Sequence, residues 1–370
     1  MADTMHPPAF SGLFPGEVKR SCCGAPMLEY FVSGDVSKPL LVFIPGAGHL
    51  ARISYGGHAG GSTEDFLAHW LSLEGYSFLA LSYPLETAVA VFDQGCPEFD
   101  RATWGRQIAE SAAQKVSEYG LPKRVVLLAW SMAGKSIQPA CQYATELGLE
   151  LMPVAMAASP HLPGFNPSLR RMPMAGSGYA MIPVAKFRDW HSQLSRGTED
   201  PVPWDVYCSH YIGNGPVGLM GFGEVFRDGH FELDLCGAFA YSQLPLVAVL
   251  VNDSAEDSQH ALTDRASWTL FNVNGLMSRY QQVHRQLDEI RWKRIRNLAR
   301  ALADDLCIEV TGNHFFFVGE RAARTTAEAI VTAINRLCLV EGELESILHS
   351  PLNGIETPEE TPQLASWSSQ

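Results

Sequence analysis

The chain is predicted to adopt an α/β fold with a mostly parallel central sheet. Three observations carry this: continuous apolar runs of strand length, helical stretches alternating with them, and Gly- and Pro-rich turns between the two. Runs such as Leu40-Leu41-Val42-Phe43-Ile44 suit parallel strands buried on both faces, because crossover helices cover both sides of such a sheet. At 370 residues, 46% hydrophobic and 18% charged, the composition is that of a folded protein. The length fits one large domain carrying an insertion.

Taken in order, residues 1–16 are rich in Pro, Gly and Phe and read as an irregular arm. Met27 to Val32 is a short strand closed by Ser33-Gly34, and Lys38 to Ile44 contains the next. A Gly-rich loop from Pro45 to Gly61 leads to a helix at Glu64 to Leu73, with Phe66, Leu67, Trp70 and Leu71 on one side. Tyr76 to Ser82 is a strand stopped by Pro84. Thr103 to Tyr119 is helical, with Gly120 at its C-cap. Arg124 to Ala129 is the third buried strand, followed by a helix from Gly134 to Thr145, and Leu151 to Ala157 is the fourth. The alternation breaks after Pro160 and resumes at the strand Leu244 to Val251. Ser267 to Ala303 is mainly helical, Cys307 to Thr311 is the last core strand, and Ala322 to Leu337 the last long helix. This divides the chain into a core in two parts, 1–161 and 241–349, a cap-like insertion at 162–240 before the penultimate core strand, and a polar 350–370 tail expected to be disordered.

Composition excludes several function classes. With 27 basic against 40 acidic residues and a net charge of −13, the chain lacks the clustered cations that nucleic-acid binding needs. No apolar run approaches the ~20 residues of a membrane span, and the N-terminus shows no secretory signal. The 8 Cys form no CxxC pair and no zinc-like Cys/His spacing. They read as reduced and mostly buried thiols, which points to a cytoplasmic protein. Neither a metal nor a cofactor is expected, and the sequence does not bear on oligomeric state.

The segment Val125 to Ser136 has two readings. In the first it is a nucleophile elbow: a strand, a sharp turn carrying Ser131, then a helix, which exposes the hydroxyl above the sheet. The usual GxSxG pattern is altered, with Ala129 and Ala133 in place of both glycines. In the second, Ala129 to Ser136 is a relaxed GxxxxGK[ST] phosphate loop, with Lys135 on phosphate and Ser136 on magnesium. A phosphate cradle works through closely approaching backbone N–H groups, and the bulk of Trp130 and Met132 opposes it. Two further features favour the elbow. Ile44-Pro45-Gly46-Ala47-Gly48-His49 follows an earlier strand and can aim a backbone N–H at an oxyanion; the N–H groups of Ala47 and Met132 are the expected donors. His314 sits in Gly312-Asn313-His314-Phe315-Phe316 after the last strand, giving the chain order Ser, acid, His.

On these residues, over 25–160 and 240–340, the chain resembles the α/β-hydrolase superfamily of the serine-nucleophile type, and in texture is similar to hydrolase-like enzymes of fungal natural-product pathways. The resemblance implies Ser131 as nucleophile, His314 as base, and an acid after the strand Leu244 to Val251. Asp253, two residues beyond that strand, is the expected acid; Asp257 is the alternative if the loop is longer, and Glu256 a distant third. Met172, Met174, Tyr179, Met181, Phe187, Trp190, Trp204, Tyr211, Met220, Phe222, Phe226 and Phe231 suit an apolar pocket lining, with more than half of them expected in the insertion's own core. Arg170 and Arg171 read as solvated charges that can also meet a substrate carboxylate. The expected activity is hydrolysis of an ester, thioester or lactone of a largely apolar small molecule. The alternatives are a condensation or cyclisation on the same fold, suggested by the two Ala replacements, and a nucleotide-binding protein using Lys135 and Ser136.

Overall fold

Apolar runs become the interior of one eight-stranded sheet. The computed structural model describes residues 12–165, 171–195, 200–241, 244–283 and 289–349; most of the N-terminal arm, Arg170 and the 350–370 tail lie outside them. The strands are β1 (Glu17–Cys22), β2 (Ala25–Val32), β3 (Leu40–Ile44), β4 (Phe78–Ser82), β6 (Arg124–Trp130), β7 (Glu150–Met156), β12 (Ala248–Asn252) and β13 (Cys307–Val310), in the order β1-β2-β4-β3-β6-β7-β12-β13. β2 runs antiparallel to both neighbours; from β4 to β13 every pairing is parallel. All residues of β3, β4 and β12 are buried, as expected for strands covered on both faces. β1, which the sequence did not reveal, is an edge strand whose residues after Glu17 are exposed or half-buried, so it lacks the apolar run that marks the others.

The helices flank this sheet. α2 (Arg101–Tyr119) packs on α3 (Ile137–Glu146), while α1 (Leu67–Leu73) and α8 (Glu289–Asp305) pack on α9 (Glu320–His349), and α7 (Ser258–Val283) packs on α8. α2 begins where the Asp100 side chain accepts the Thr103 N–H and ends at Gly120 in the left-handed conformation, the C-cap its sequence predicts. α7 starts nine residues before the expected Ser267, and α9 runs twelve past the expected Leu337.

Between β7 and β12 the chain leaves the sheet. It forms α4 (Val184–Leu194), α5 (Trp204–His210) and α6 (Leu235–Ala240), the hairpin β10 (Glu224–Arg227) and β11 (His230–Leu233), and the short strands β8 (Tyr179–Ala180) and β9 (Gly213–Pro216), which join β5 (Glu86–Thr87) in a small antiparallel sheet. Strands of two to four residues carry too little periodicity to be read from sequence. Of the eight thiols only Cys141 is buried, while Cys236 and Cys338 are exposed and the other five half-buried, which corrects the expectation of mostly buried cysteines. No helix among the described residues is long and apolar enough to cross a membrane.

A buried ion pair fastens the entry of the chain to this segment. Arg52 and Glu17 have fully buried side chains and meet twice, Nε to Oε1 at 2.7 Å and Nη2 to Oε2 at 2.6 Å. Tyr55 Oη also donates to Glu17, and Arg52 Nη1 donates to the His210 carbonyl. Both charges are fully hydrogen-bonded, the condition under which a buried pair is tolerated. Removing one partner strands the other: Glu17→Gln or Arg52→Met is expected to lower the unfolding free energy by about 3–5 kcal/mol, measured by urea titration. A loss below about 1 kcal/mol would show the pair to be solvated.

Candidate active site

The sheet order reverses at β3, which has β4 on one side and β6 on the other. In parallel sheets the crevice beyond the carboxyl ends of the strands at such a switch point is the natural ligand site. β3 and β6 end in register, Ile44 opposite Ala129, so the loop carrying Ala47 and the turn carrying Ser131 emerge side by side.

Ser131 is one of four non-glycine residues with positive φ among the described residues, at 58°. That left-handed conformation costs an L-residue roughly 1–2 kcal/mol, and it follows directly from the strand-to-helix reversal between Trp130 and the 3-10 segment Ser131–Ser136. The two replaced glycines are not where the tight approach occurs. Ala129 and Ala133 are buried without difficulty. The close contacts fall on Gly46, where a Cβ would lie 2.6 Å from Ser131 Cβ, and on Gly134, where one would lie 2.4 Å from the Ser159 carbonyl oxygen.

The hydroxyl of Ser131 meets His314: Oγ lies 2.9 Å from Nε2, and Nδ1 lies 2.8 Å from Asp257 Oδ2. A carboxylate accepts only, so Nδ1 carries the proton and Nε2 accepts the Ser131 O–H. Burial opposes ionisation of Asp257, yet the adjacent His314 and the Asn252 amide donor hold its carboxyl below the ordinary value. The expected acid was Asp253, and the structure corrects this. Asp253 is exposed and its Oδ1 accepts the Gly312 N–H at 3.0 Å. β12 ends at Asn252, and a 3-10 turn, Ala255–Asp257, capped by Ser254, swings the chain back so that Asp257 reaches the imidazole. Asp253 instead braces the loop that presents His314, and Glu256 lies on the cavity wall.

The loop after β3 is held by hydrogen bonds that sequence reading missed. Tyr83 Oη accepts the Gly48 N–H and donates to the Gly46 carbonyl. His49 Nδ1 lies 2.8 Å from the Ala47 carbonyl, which can only accept, so Nε2 accepts from Tyr207 Oη at 2.7 Å. Burial pushes the His49 imidazole down to about 3, so it stays neutral and serves as a strut between this loop and α5. The Ala47 N–H has no protein acceptor among the described residues. The Met132 N–H belongs to the first turn of its 3-10 segment, whose N–H groups lack acceptors within the helix.

Ser131, Met132, Ala47 and His314 line a cavity of about 470 Å³. Met172, Trp190 and Phe222 close it from the inserted segment, while Arg171 and Lys186 bring positive charge to its wall. Among the described residues the remaining aromatic and Met side chains of 162–240 do not line it; Tyr179, Tyr211 and Met220, for example, are buried. Lys135 and Ser136 lie away from the cavity, which corrects the phosphate-loop alternative. Both are buried: Lys135 Nζ donates to the Leu219 carbonyl and sits 3.8 Å from the Phe222 ring centre, and Ser136 Oγ donates to the Ala133 carbonyl. Burial and the nearby Arg101 push the Lys135 amine well below its ordinary value, and neither side chain is available to a phosphate or to magnesium.

A second imidazole lies beside the first. His260, in α7, stacks on His314 with ring centres 5.1 Å apart, and its Nδ1 lies 2.9 Å from Asp264 Oδ2. Asp264 is fully buried, and its other oxygen accepts the Ser159 hydroxyl at 2.7 Å. The i, i+4 spacing of His260 and Asp264 on a helix is the signal that could have revealed the pair. Donor atoms of Asp257, His260 and His314 lie within 4.8 Å of one another. However, both His314 nitrogens and His260 Nδ1 already have partners, so a metal ion would have to break the chain of hydrogen bonds from Ser131 to Asp257.

No protein-family model matches the chain, and no curated protein matches it in sequence. Among solved structures, an esterase from Rhodococcus is similar to it with a TM-score of 0.51 at 14% identity, over 87% of this chain and 99% of that one. The chain has the α/β-hydrolase fold. A soluble variant of monoglyceride lipase from Saccharomyces cerevisiae aligns over 92% of this chain and 99% of its own, with a TM-score of 0.46 and 10% identity. The thioesterase domain from the curacin biosynthetic pathway aligns over 85% and 98%, with a TM-score of 0.44 and 12% identity.

The contact between Gly46 and Ser131 can be tested directly. Gly46→Ala places a methyl group where the rigid Ser131 Cβ already stands, so the loop or the elbow must shift. A displacement approaching 1 Å at the hydroxyl is expected to cost about 10²-fold in ester turnover, in a protein that still unfolds cooperatively. Turnover at the wild-type level would show that the two strand ends are not held this close.

Proposed function

We propose that the protein is a serine hydrolase that cleaves an ester, thioester or lactone of a small molecule, with Ser131 as nucleophile, His314 as base and Asp257 as the acid that orients the base. The observation that carries this reading is the continuous hydrogen-bonded line from Ser131 Oγ through His314 to Asp257, at 2.9 and 2.8 Å, beginning at a serine held with positive φ. Asp257 keeps Nδ1 protonated, which leaves Nε2 free to take the Ser131 proton as Oγ attacks the carbonyl carbon, and it stabilises the imidazolium that results. The Ala47 and Met132 N–H groups, from residues that line the same cavity as Ser131, are assigned to the developing oxyanion, where each such donor contributes about 2.7–4 kcal/mol. The acyl group then rests on Ser131 until water releases it.

Residues 162–240 are proposed to act as a cap. Met172, Trp190 and Phe222 give the substrate an apolar contact, and Arg171 and Lys186 give it a place for an acceptor or anionic group, so the pocket suits an amphipathic acyl compound better than a purely apolar one. The Ala replacements that suggested condensation or cyclisation lose their force, because Ala129 and Ala133 fit the elbow and the close approach falls on Gly46 and Gly134.

Steady-state hydrolysis of a panel of short acyl esters tests the assignment. Ser131→Ala and His314→Ala are each expected to lower kcat by about 10⁶-fold, and Asp257→Asn by about 10⁴-fold. Asp253→Asn, which loosens only the brace on Gly312, is expected to lose far less. If Asp253→Asn proves the more damaging of the two, the acid is wrongly assigned; if Ser131→Ala hydrolyses every ester as the wild type does, so is the nucleophile.

A further inference from the structure

The pair His260 and Asp264 repeats the arrangement of His314 and Asp257 within the same cavity, and the serine mechanism above leaves it without a task. A buried carboxylate requires a compensating partner, and the described residues offer Asp264 the Ser159 hydroxyl and the His260 imidazole. With Nδ1 tied to Asp264 Oδ2, the remaining His260 nitrogen is Nε2. It has no hydrogen-bond partner in the protein among the described residues, and the ring forms part of the wall that also holds Ser131 and His314. A carboxylate-anchored imidazole with its second nitrogen left to the cavity is the equipment of an acid–base catalyst, and here the matching group must come from substrate or water.

We infer that His260 is a second catalytic acid–base, which protonates the leaving group when Ser131 is acylated and deprotonates the water that later releases the acyl group. This rests on the serine-hydrolase reading and deepens it. In a one-imidazole scheme His314 would hand the Ser131 proton on to the leaving group. With two imidazoles the protons stay separate. In acylation the bond from Ser131 Oγ to the carbonyl carbon forms and the Ser131 proton passes to His314 Nε2. The bond from that carbon to the leaving oxygen breaks, and His260 Nε2 gives its proton to that oxygen. The site then holds an imidazolium at His314 and a neutral His260. In deacylation the water oxygen bonds to the acyl carbon and a water proton passes to His260 Nε2. The Oγ–carbon bond breaks and His314 returns its proton to Ser131. One ester and one water are consumed, and both rings regain their starting states.

The scheme requires His260 to begin protonated. The titratable groups around it are Asp264 on its own helix, Asp257 in the turn before that helix, and His314 from the loop after β13; Ser159, from the loop after β7, is uncharged. Burial opposes the charge on His260, but the Asp264 and Asp257 carboxylates outweigh it, so its pKa is raised above the ordinary histidine value. It therefore keeps its proton to a higher pH than a free imidazole does. The substrate class follows: esters with poor, basic leaving groups, such as alkyl alcohols, need the donated proton, whereas aryl esters with acidic leaving groups do not.

The test compares kcat/KM for an ethyl ester and a p-nitrophenyl ester of the same acid in the full-length wild type, His260→Gln and Asp264→Asn. Labelling of Ser131 by a fluorophosphonate, whose fluoride leaves without a proton, is followed in parallel. The ethyl-to-nitrophenyl ratio is expected to fall by about 10²-fold or more in His260→Gln and in the same direction in Asp264→Asn. The alkaline fall of kcat/KM for the ethyl ester, as His260 loses its proton, is expected to vanish in His260→Gln. Equal losses for both esters, or loss of labelling confined to the two variants, would make the pair structural and overturn the inference. Absence of labelling in the wild type would instead overturn the serine-hydrolase reading beneath it.

Discussion

Ser131 sits in left-handed backbone space, with φ at 58°, and the site is arranged around keeping it there. The conformation costs roughly 1–2 kcal/mol and persists only where neighbouring structure over-determines it. That determination comes from the buried strand β6 on one side and the turn into α3 on the other, with Gly46 and Gly134 conceding the space for a Cβ. The benefit is geometric. A hydroxyl at this point stands clear of the sheet, beside the loop after β3, within reach of an imidazole arriving from the far end of the chain.

That imidazole is fastened from several directions. Trp130, the residue before Ser131, donates its indole N–H to the His314 carbonyl, so the turn itself fixes the height of the histidine loop. Asn313 donates to the Gln193 carbonyl of α4 and accepts from the Phe315 N–H, and Asp253 accepts from Gly312. The same economy holds in the loop after β3, where Tyr83 and the neutral His49 orient the peptide groups around Ala47, and Tyr207 of α5 takes part. Both halves of the site therefore depend on contacts to the inserted segment, which connects the packing of residues between β7 and β12 to the geometry at Ser131.

Much of this was legible in the sequence because it is local. The run Val125 to Trp130, the turn at Ser131 and the helix behind it form one contiguous pattern, and a histidine in a Gly-containing loop after the last strand is another. What could not be read depends on distance in space or on loop length. Asp253 was expected as the acid because it follows the strand at the usual spacing; Asp257 reaches His314 because Ser254 caps a 3-10 turn, a detail no spacing rule contains. Two missing glycines looked like a defect in the elbow until the close approach proved to lie at Gly46, 85 positions earlier in the chain. His260 and Asp264 stood four residues apart on a helix and passed unnoticed, because their importance comes from stacking on His314. β1, β8 and β9 escaped for the opposite reason: edge exposure or brevity leaves them without a periodic signal.

Acylation of Ser131 during turnover can be caught by acid quenching of an ester reaction, followed by peptide mapping with mass spectrometry. An acyl mass is expected on the peptide containing Ser131 and on no other. An acyl mass on a different residue, or none while product accumulates, would contradict acylation at Ser131.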